Sequence, residues 1–305
     1  MRILVLGAGA TGGYFGGRLA QAGGDVTFLV RERRAAQLRA HGLVIQTPKG
    51  REHFPVSVVT EADPQWPYDL AILSCKAYDL DSAIAALQPA LGQTGLVLPL
   101  LNGLAHYGPL EQAFGADRVL GGLCHLSAAL ESEGDIRLLG PLHRLTFGER
   151  QGPPQSARCA TLAAVLAPAA FDSHHSPDIS QDSWEKFAFL AAAAGITCLL
   201  RAPVGAIMDS EDGPALTLRI IDECEAIAAA SGYPVREAAR AMTRRTLLAT
   251  GSPFTASMLR DLRAGGRIEA WQIIGDLRQR GLALGVPVDT LSLAWCQLQA
   301  YEAQS

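Results

Sequence analysis

The sequence predicts an α/β domain built on a parallel sheet, followed by an all-helical domain. Three observations predict it. Short β-type runs alternate with helical stretches through the first half of the chain. The first of those runs leads directly into a glycine-rich loop. Beyond Pro177 the strand patterns stop and almost every segment reads as helix. The boundary is therefore placed near Pro177, giving domains 1–177 and 178–305.

The elements follow in order. Apolar, β-branched-rich runs at 2–6, 25–30, 69–74, 95–99 and 118–123 read as strands of the parallel sheet. Helical patterns at 12–22 and 81–91 lie between them. Residues 43–46 and 54–58, on either side of Thr47-Pro48-Lys49-Gly50, read as an inserted hairpin. Runs at 144–148 and 170–173 read as further strands. The helices of the second domain are expected at 183–200, 214–231, 235–250, 256–264, 268–284 and 288–303. Gly and Pro punctuate them at 232–234, 251–253, 265–266 and 285–287.

The composition excludes several classes of function. The chain has 305 residues, 49% apolar and 18% charged, which supports a sizeable core and is unlike a disordered protein. With 26 basic and 30 acidic residues the net charge is −4, so nothing points to a nucleic-acid or anionic-membrane partner. The six cysteines are all more than 20 residues apart, without zinc-ligand spacing, and read as thiols of a cytoplasmic protein. A strand at 2–6 leaves no room for a signal peptide. The longest uncharged apolar run, 187–200, has 14 residues, short of the ~20 of a membrane span, and reads as a buried core helix.

Scarcity makes some residues informative. Only three lysines stand among the 26 basic residues (Lys49, Lys76 and Lys186), and Asn102 is the one asparagine in the chain.

Gly7-Ala8-Gly9-Ala10-Thr11-Gly12 matches G-x-G-x-x-G between a strand and a helix, the setting of a Rossmann-type dinucleotide-binding domain. The first glycine permits the tight turn. The second lets backbone approach a pyrophosphate, which the helix N-terminus stabilises. Arg31 lies 19 residues past Gly12, at the end of the second strand (31 − 12). An acid there would select NAD, whereas a guanidinium suits the 2′-phosphate of NADP. NADP(H) is the expected cofactor, with a solvated charge cluster as the bland alternative. Lys76 and Asn102 each follow a strand of the parallel sheet, at the edge where such sheets bind ligands. Lys76 can reach a ribose or phosphate. Asn102-Gly103 is also a strong turn signal, and that reading stays open beside a ligand-orienting role for the amide.

Asp182-Ser183-Trp184-Glu185 has capping-box spacing, which places Lys186 in the first turn of a helix. A cation facing the positive end of the dipole is poorly placed for stability. The field, with burial, is expected to lower its pKa toward that of a general acid, with Glu185 opposing. Ser257 and Glu269 lie at the starts of later helical patterns, where capping or first-turn electrostatics would also account for them.

Together these segments resemble the ketopantoate reductases (2-dehydropantoate 2-reductases) over nearly the whole chain. The resemblance rests on RILVLGAGATGGYFGGRLAQAG at the start, Arg31, SCKAYD around Lys76, LLNG around Asn102, WEKF around Lys186 and SMLRDLRAGGRIEA at 257–270. It implies NADPH-dependent reduction of a 2-oxo acid, ketopantoate to pantoate by default, in pantothenate biosynthesis. It implies Lys186 as proton donor and Glu269 beside substrate and cofactor. It implies Ser257 and Asn102 as substrate contacts, and Gly7, Ala8, Gly9, Ala10, Thr11, Gly12, Arg31, Lys76, Asn102 and Glu269 along the cofactor. A homodimer is compatible with it. One departure stands out. Better-known members carry asparagines four and eight residues after the lysine, where this chain has Leu190 and Ala194. A different, less hydroxylated 2-oxo acid is the alternative substrate, and a non-catalytic NADP(H) sensor the alternative class.

Overall fold

The computed structural model describes residues 1–61 and 67–304. The chain forms two compact units. Met1–Leu101 with His106–Ser180 makes the first, and Asn102–Ala105 with Gln181–Ser305 the second.

The first unit holds a five-stranded, all-parallel sheet. Its strands are β1 (Arg2–Leu6), β2 (Asp25–Leu29), β5 (Ser57–Val59), β6 (Tyr68–Leu73) and β7 (Leu91–Pro99), in the order β5-β2-β1-β6-β7. Ile3, Val5, Phe28, Leu70 and Ile72 are fully buried in this sheet, in line with the apolar runs that predict a sheet covered on both faces. The helix α1 (Ala10–Gln21) packs on it through Gly16, which lies against Val5 and Phe28, and α2 (Glu32–His41) follows β2; α3 (Leu80–Leu87), α4 (Tyr107–Phe114) and α5 (Ala157–Leu166) are the later helices of this unit. A Rossmann-like unit thus precedes a helical one, as the alternation predicts.

A second sheet completes this unit. It contains β3 (Leu43–Thr47) and β4 (Gly50–Phe54), then the long strands β8 (Gly121–Leu130) and β9 (Ile136–Gly148), and finally β10 (Asp172–His175). Its order is β10-β9-β3-β4, with β8 antiparallel to β9.

Two expectations change here. The hairpin closes at β4, and the run expected at 54–58 is divided. Pro55, which cannot donate to a ladder, separates β4 from β5, and β5 joins β2 in the other sheet. The strand expected at 118–123 meets the parallel sheet at an isolated bridge between Val97 and Val119. The chain then passes Gly121 and Gly122, whose missing side chains make room for Ile179 and for the Pro99 carbonyl, and continues as β8 of the second sheet.

The second unit is helical. It comprises α6 (Ile179–Leu200, whose first two residues close the first unit), α7 (Val204–Met208), α8 (Gly213–Ala230), α9 (Glu237–Leu247), α10 (Ser257–Arg263), α11 (Asp276–Ala283) and α12 (Asp289–Glu302). The helix expected at 268–284 begins instead with a π-helical turn, Trp271–Gly275, ahead of α11. A side chain at Gly275 would come within 2.6 Å of the Trp271 ring, so glycine there accommodates the turn. By length and composition α6 could cross a membrane, yet Phe187, Ala191, Ile196 and Cys198 pack into this unit's core, with Ile220, Ile274 and Leu291.

Candidate active site

The glycine loop and the ends of the parallel strands enclose a cleft of about 790 Å³ in the first unit. Gly7 has φ +95°, a conformation open to glycine, and its N–H donates to the Leu29 carbonyl at 3.0 Å. Gly9 has open space where a side chain would stand. A ligand can therefore approach this backbone at the N-terminus of α1, where the first N–H groups and the dipole favour an anion. Gly12 is the opposite case. A Cβ there would lie 2.3 Å from the Gly7 carbonyl and 2.1 Å from Ser74 Oγ, so the loop, α1 and the end of β6 pack as closely as only glycine allows. Gly7, Ala8 and Gly9 line the cleft, while Ala10, Thr11 and Gly12 form the first turn of α1 behind it.

Four cations line the same cleft: Arg31, Arg33, Arg34 and Lys76. Arg31 precedes α2, is 81% exposed and pairs with Asp79 at 2.9 Å. Lys76 is exposed where β6 gives way to the short 3₁₀ turn Ala77–Asp79. Arg34 was not singled out by sequence spacing. Its Nε donates to the Ala8 carbonyl at 3.2 Å, and its Nη1 to Gln37 Oε1 at 2.6 Å. Its Nη2 is buried without a hydrogen-bond partner. Burial lowers the pKa of this guanidinium, with Asp135 partly opposing the shift. The tip of the β8–β9 hairpin closes the wall through Leu130, Glu131, Ser132 and Gly134. Gln37 Nε2 donates to the Glu133 carbonyl and so ties the tip to α2. An open glycine backbone at a helix N-terminus, beside a cation with an orphaned buried donor, fits a phosphate-bearing ligand.

The second unit joins Lys186 to Asn102. Lys186 Nζ donates to Asn102 Oδ1 at 3.1 Å, across 84 residues of sequence. Asn102–Ala105 leaves the end of β7 and packs within the helical unit, to whose core Leu104 contributes. Gly103 turns at φ +78°, as the Asn-Gly signal predicts, and the Asn102 amide meets the lysine. Gln272, in the π-helical turn, is 6% exposed, and its Nε2 donates to the Asn102 carbonyl at 3.4 Å. A side chain on Gly103 would lie 2.5 Å from the Gln272 carbonyl.

Glu269 stands half-buried just before this turn, and its carbonyl accepts from Ile273 N–H at 3.2 Å. Ser257 is exposed at the first residue of α10. The expected capping box is replaced by other contacts. The helix begins at Ile179, so Lys186 lies in its third turn, beyond the reach of the dipole. Asp182 and Glu185 instead bind Arg236, with Arg236 Nε 2.7 Å from Glu185 Oε1. Despite the cost of burial, this arginine holds the Glu185 carboxyl below its ordinary range. Along α6, Leu190 is half-buried and Ala194 buried.

Two family models match this chain. The model described as "Ketopantoate reductase PanE/ApbA" covers residues 3–152, and "Ketopantoate reductase PanE/ApbA C terminal" covers 178–302. The chain belongs to the ketopantoate reductase family. It is an oxidoreductase of that family. It is 36% identical, over the full length of both chains, to an "uncharacterized oxidoreductase" of Bacillus subtilis. It is 26% identical to a 2-dehydropantoate 2-reductase of Mesorhizobium japonicum, over 95% of this chain and 94% of the other. Its fold matches the crystal structure of a PanE/ApbA family ketopantoate reductase from Ralstonia eutropha with TM-score 0.89 and 27% identity, over 100% of this chain and 99% of that one.

Proposed function

We propose that this ketopantoate reductase family member reduces a 2-oxo acid with NADPH, ketopantoate to pantoate being the leading substrate. The observation that carries the reading is the bond from Lys186 Nζ to Asn102 Oδ1. A lysine at a half-buried position, with its ammonium oriented by a neutral amide, is a placed proton donor. When bound, the nicotinamide supplies the hydride. The glycine loop and the cations of the first unit hold the cofactor's phosphates. Lys186 gives its proton to the substrate's carbonyl oxygen and offsets the negative charge that develops there. Asn102 keeps the ammonium from rotating away, and Glu269 and Ser257 are assigned to substrate and cofactor contact.

Leu190 favours a second reading of the substrate. It stands one turn beyond Lys186, half-exposed, and offers no hydrogen bond to a hydroxyl. A site built to bind a hydroxyl rejects analogues without it by large factors, and an apolar lining has the reverse preference. Turnover of NADPH against a panel of 2-oxo acids, with and without the ketopantoate hydroxyl, tests both readings. A higher kcat/KM for ketopantoate supports pantoate formation, and a higher value for an unhydroxylated acid supports the second substrate. Absence of turnover with every 2-oxo acid would overturn the reductase reading.

A further inference from the structure

The cleft presents an ion pair where cofactor selection calls for a single cation. Arg31 Nη2 donates to Asp79 Oδ1 at 2.9 Å, and both residues line the cleft. Asp79 ends the 3₁₀ turn that follows Lys76 and directly precedes α3 (Leu80–Leu87). Its backbone is pinned by Ser82, whose hydroxyl donates to the Asp79 carbonyl at 2.8 Å. The backbone that carries the carboxylate is thus held in the cleft wall.

The two halves of the pair have opposite preferences. A guanidinium binds a phosphate through paired, charge-assisted hydrogen bonds. A carboxylate accepts hydrogen bonds from a ribose hydroxyl and repels a phosphate. The arginine side chain is 81% exposed and the aspartate 32%, so the pair is solvated and contributes little to stability. A dianionic phosphate can open it, whereas a hydroxyl leaves it closed and uses the carboxylate.

We propose that Asp79 is a specificity-determining residue, competing with the cofactor's 2′-phosphate for Arg31 so that the cleft admits NADH as well as NADPH. This rests on the dinucleotide reading of the cleft.

The test is fluorescence titration of NADPH and NADH into the wild-type protein, Asp79→Asn and Asp79→Ser, with thermal melting as the folding control. In the wild type the two dissociation constants should lie within about tenfold. Asn keeps the side chain's shape and removes its charge. It should tighten NADPH by roughly tenfold at low salt, an effect that shrinks as salt screens it. NADH should weaken or stay level. Asp79→Ser should move the ratio in the same direction. In an Arg31→Leu background most of the effect of Asp79→Asn should vanish, because the contest is for that guanidinium. If both cofactors bind and neither Asp79 variant moves their ratio by more than twofold, the proposal is overturned and the dinucleotide reading stands. If neither cofactor binds the wild type, both fall.

Discussion

Gly103→Ala probes the link between the Asn102 segment and the lysine. Gly103 has φ +78°, where an L-residue costs about 1–2 kcal/mol. The added methyl would also sit 2.5 Å from the Gln272 carbonyl, a backbone atom held in the π-helical turn. Overlap of this kind costs a further ~1–3 kcal/mol where neighbours cannot yield. The segment can relieve both by shifting, and a shift moves Asn102 away from Lys186 Nζ, now 3.1 Å distant. Misplacing a reacting group by ~1 Å can cost about a hundredfold in rate. The variant should therefore melt at lower temperature and lose ten- to a hundredfold in kcat (~1.4 kcal/mol per decade). Its NADPH dissociation constant should change much less than kcat, because the substitution leaves the glycine loop and its neighbouring cations untouched. Gly103→Asn, which tolerates positive φ but keeps the overlap, separates strain from contact. Steady-state kinetics and cofactor titration on both variants make the assay. Full kcat in Gly103→Ala, with a lowered melting temperature, would refute the coupling of this turn to the lysine.

Three further outcomes follow. Gly12→Ala should abolish dinucleotide binding and destabilise the fold, since its methyl meets the Gly7 carbonyl at 2.3 Å; Gly9→Ala should melt like the wild type and lose only cofactor affinity, as titration and calorimetry will show. Gln272→Leu should remove the support of the Asn102 carbonyl and lower kcat about three- to tenfold with NADPH affinity unchanged, by steady-state kinetics and titration. Glu52 binds Arg18 at 2.7 Å and has its pKa lowered from 4.5 to about 2, first by that bond and then by Gln21. Its folded pKa is depressed, so its contribution is complete above about pH 4.5 and is lost as pH falls toward about 2. The stability gap between wild type and Glu52→Gln, measured by denaturant melts, should be constant near neutrality and close over that window.

Much of the first unit is legible because several signals coincide. At the first strand and its glycine loop, β-branched residues, three spaced glycines and a following helix agree. The β8–β9 hairpin is less legible. Both strands are partly exposed on both faces, so alternation fades, and Gly140-Pro141 inside β9 argues against a strand. The helix α7, Val204–Met208, is too short to show a period. The π-helical turn has no sequence signature, and Gln272 lies in an apolar run with nothing to mark it.

The candidate site divides in the same way. Gly7 and Gly9 carry their own motif, whereas Arg34 and Asp79 become visible only when the fold closes the cleft around them. Nothing in the spacing brings Asn102 to a lysine 84 residues away. The scarcity of Lys and Asn, and the family resemblance, single those two residues out. The capping-box spacing at 182–185 misleads, because Arg236 takes both acids and the helix starts earlier.

Lys186→Met tests the proposed proton donor most directly. Lys186→Met keeps the length of the stem and removes the ammonium. With NADPH and the best 2-oxo acid from the panel, kcat should fall by about 10²–10⁴-fold while the NADPH dissociation constant stays within twofold. A variant that turns over at the wild-type rate would rule Lys186 out as the proton donor.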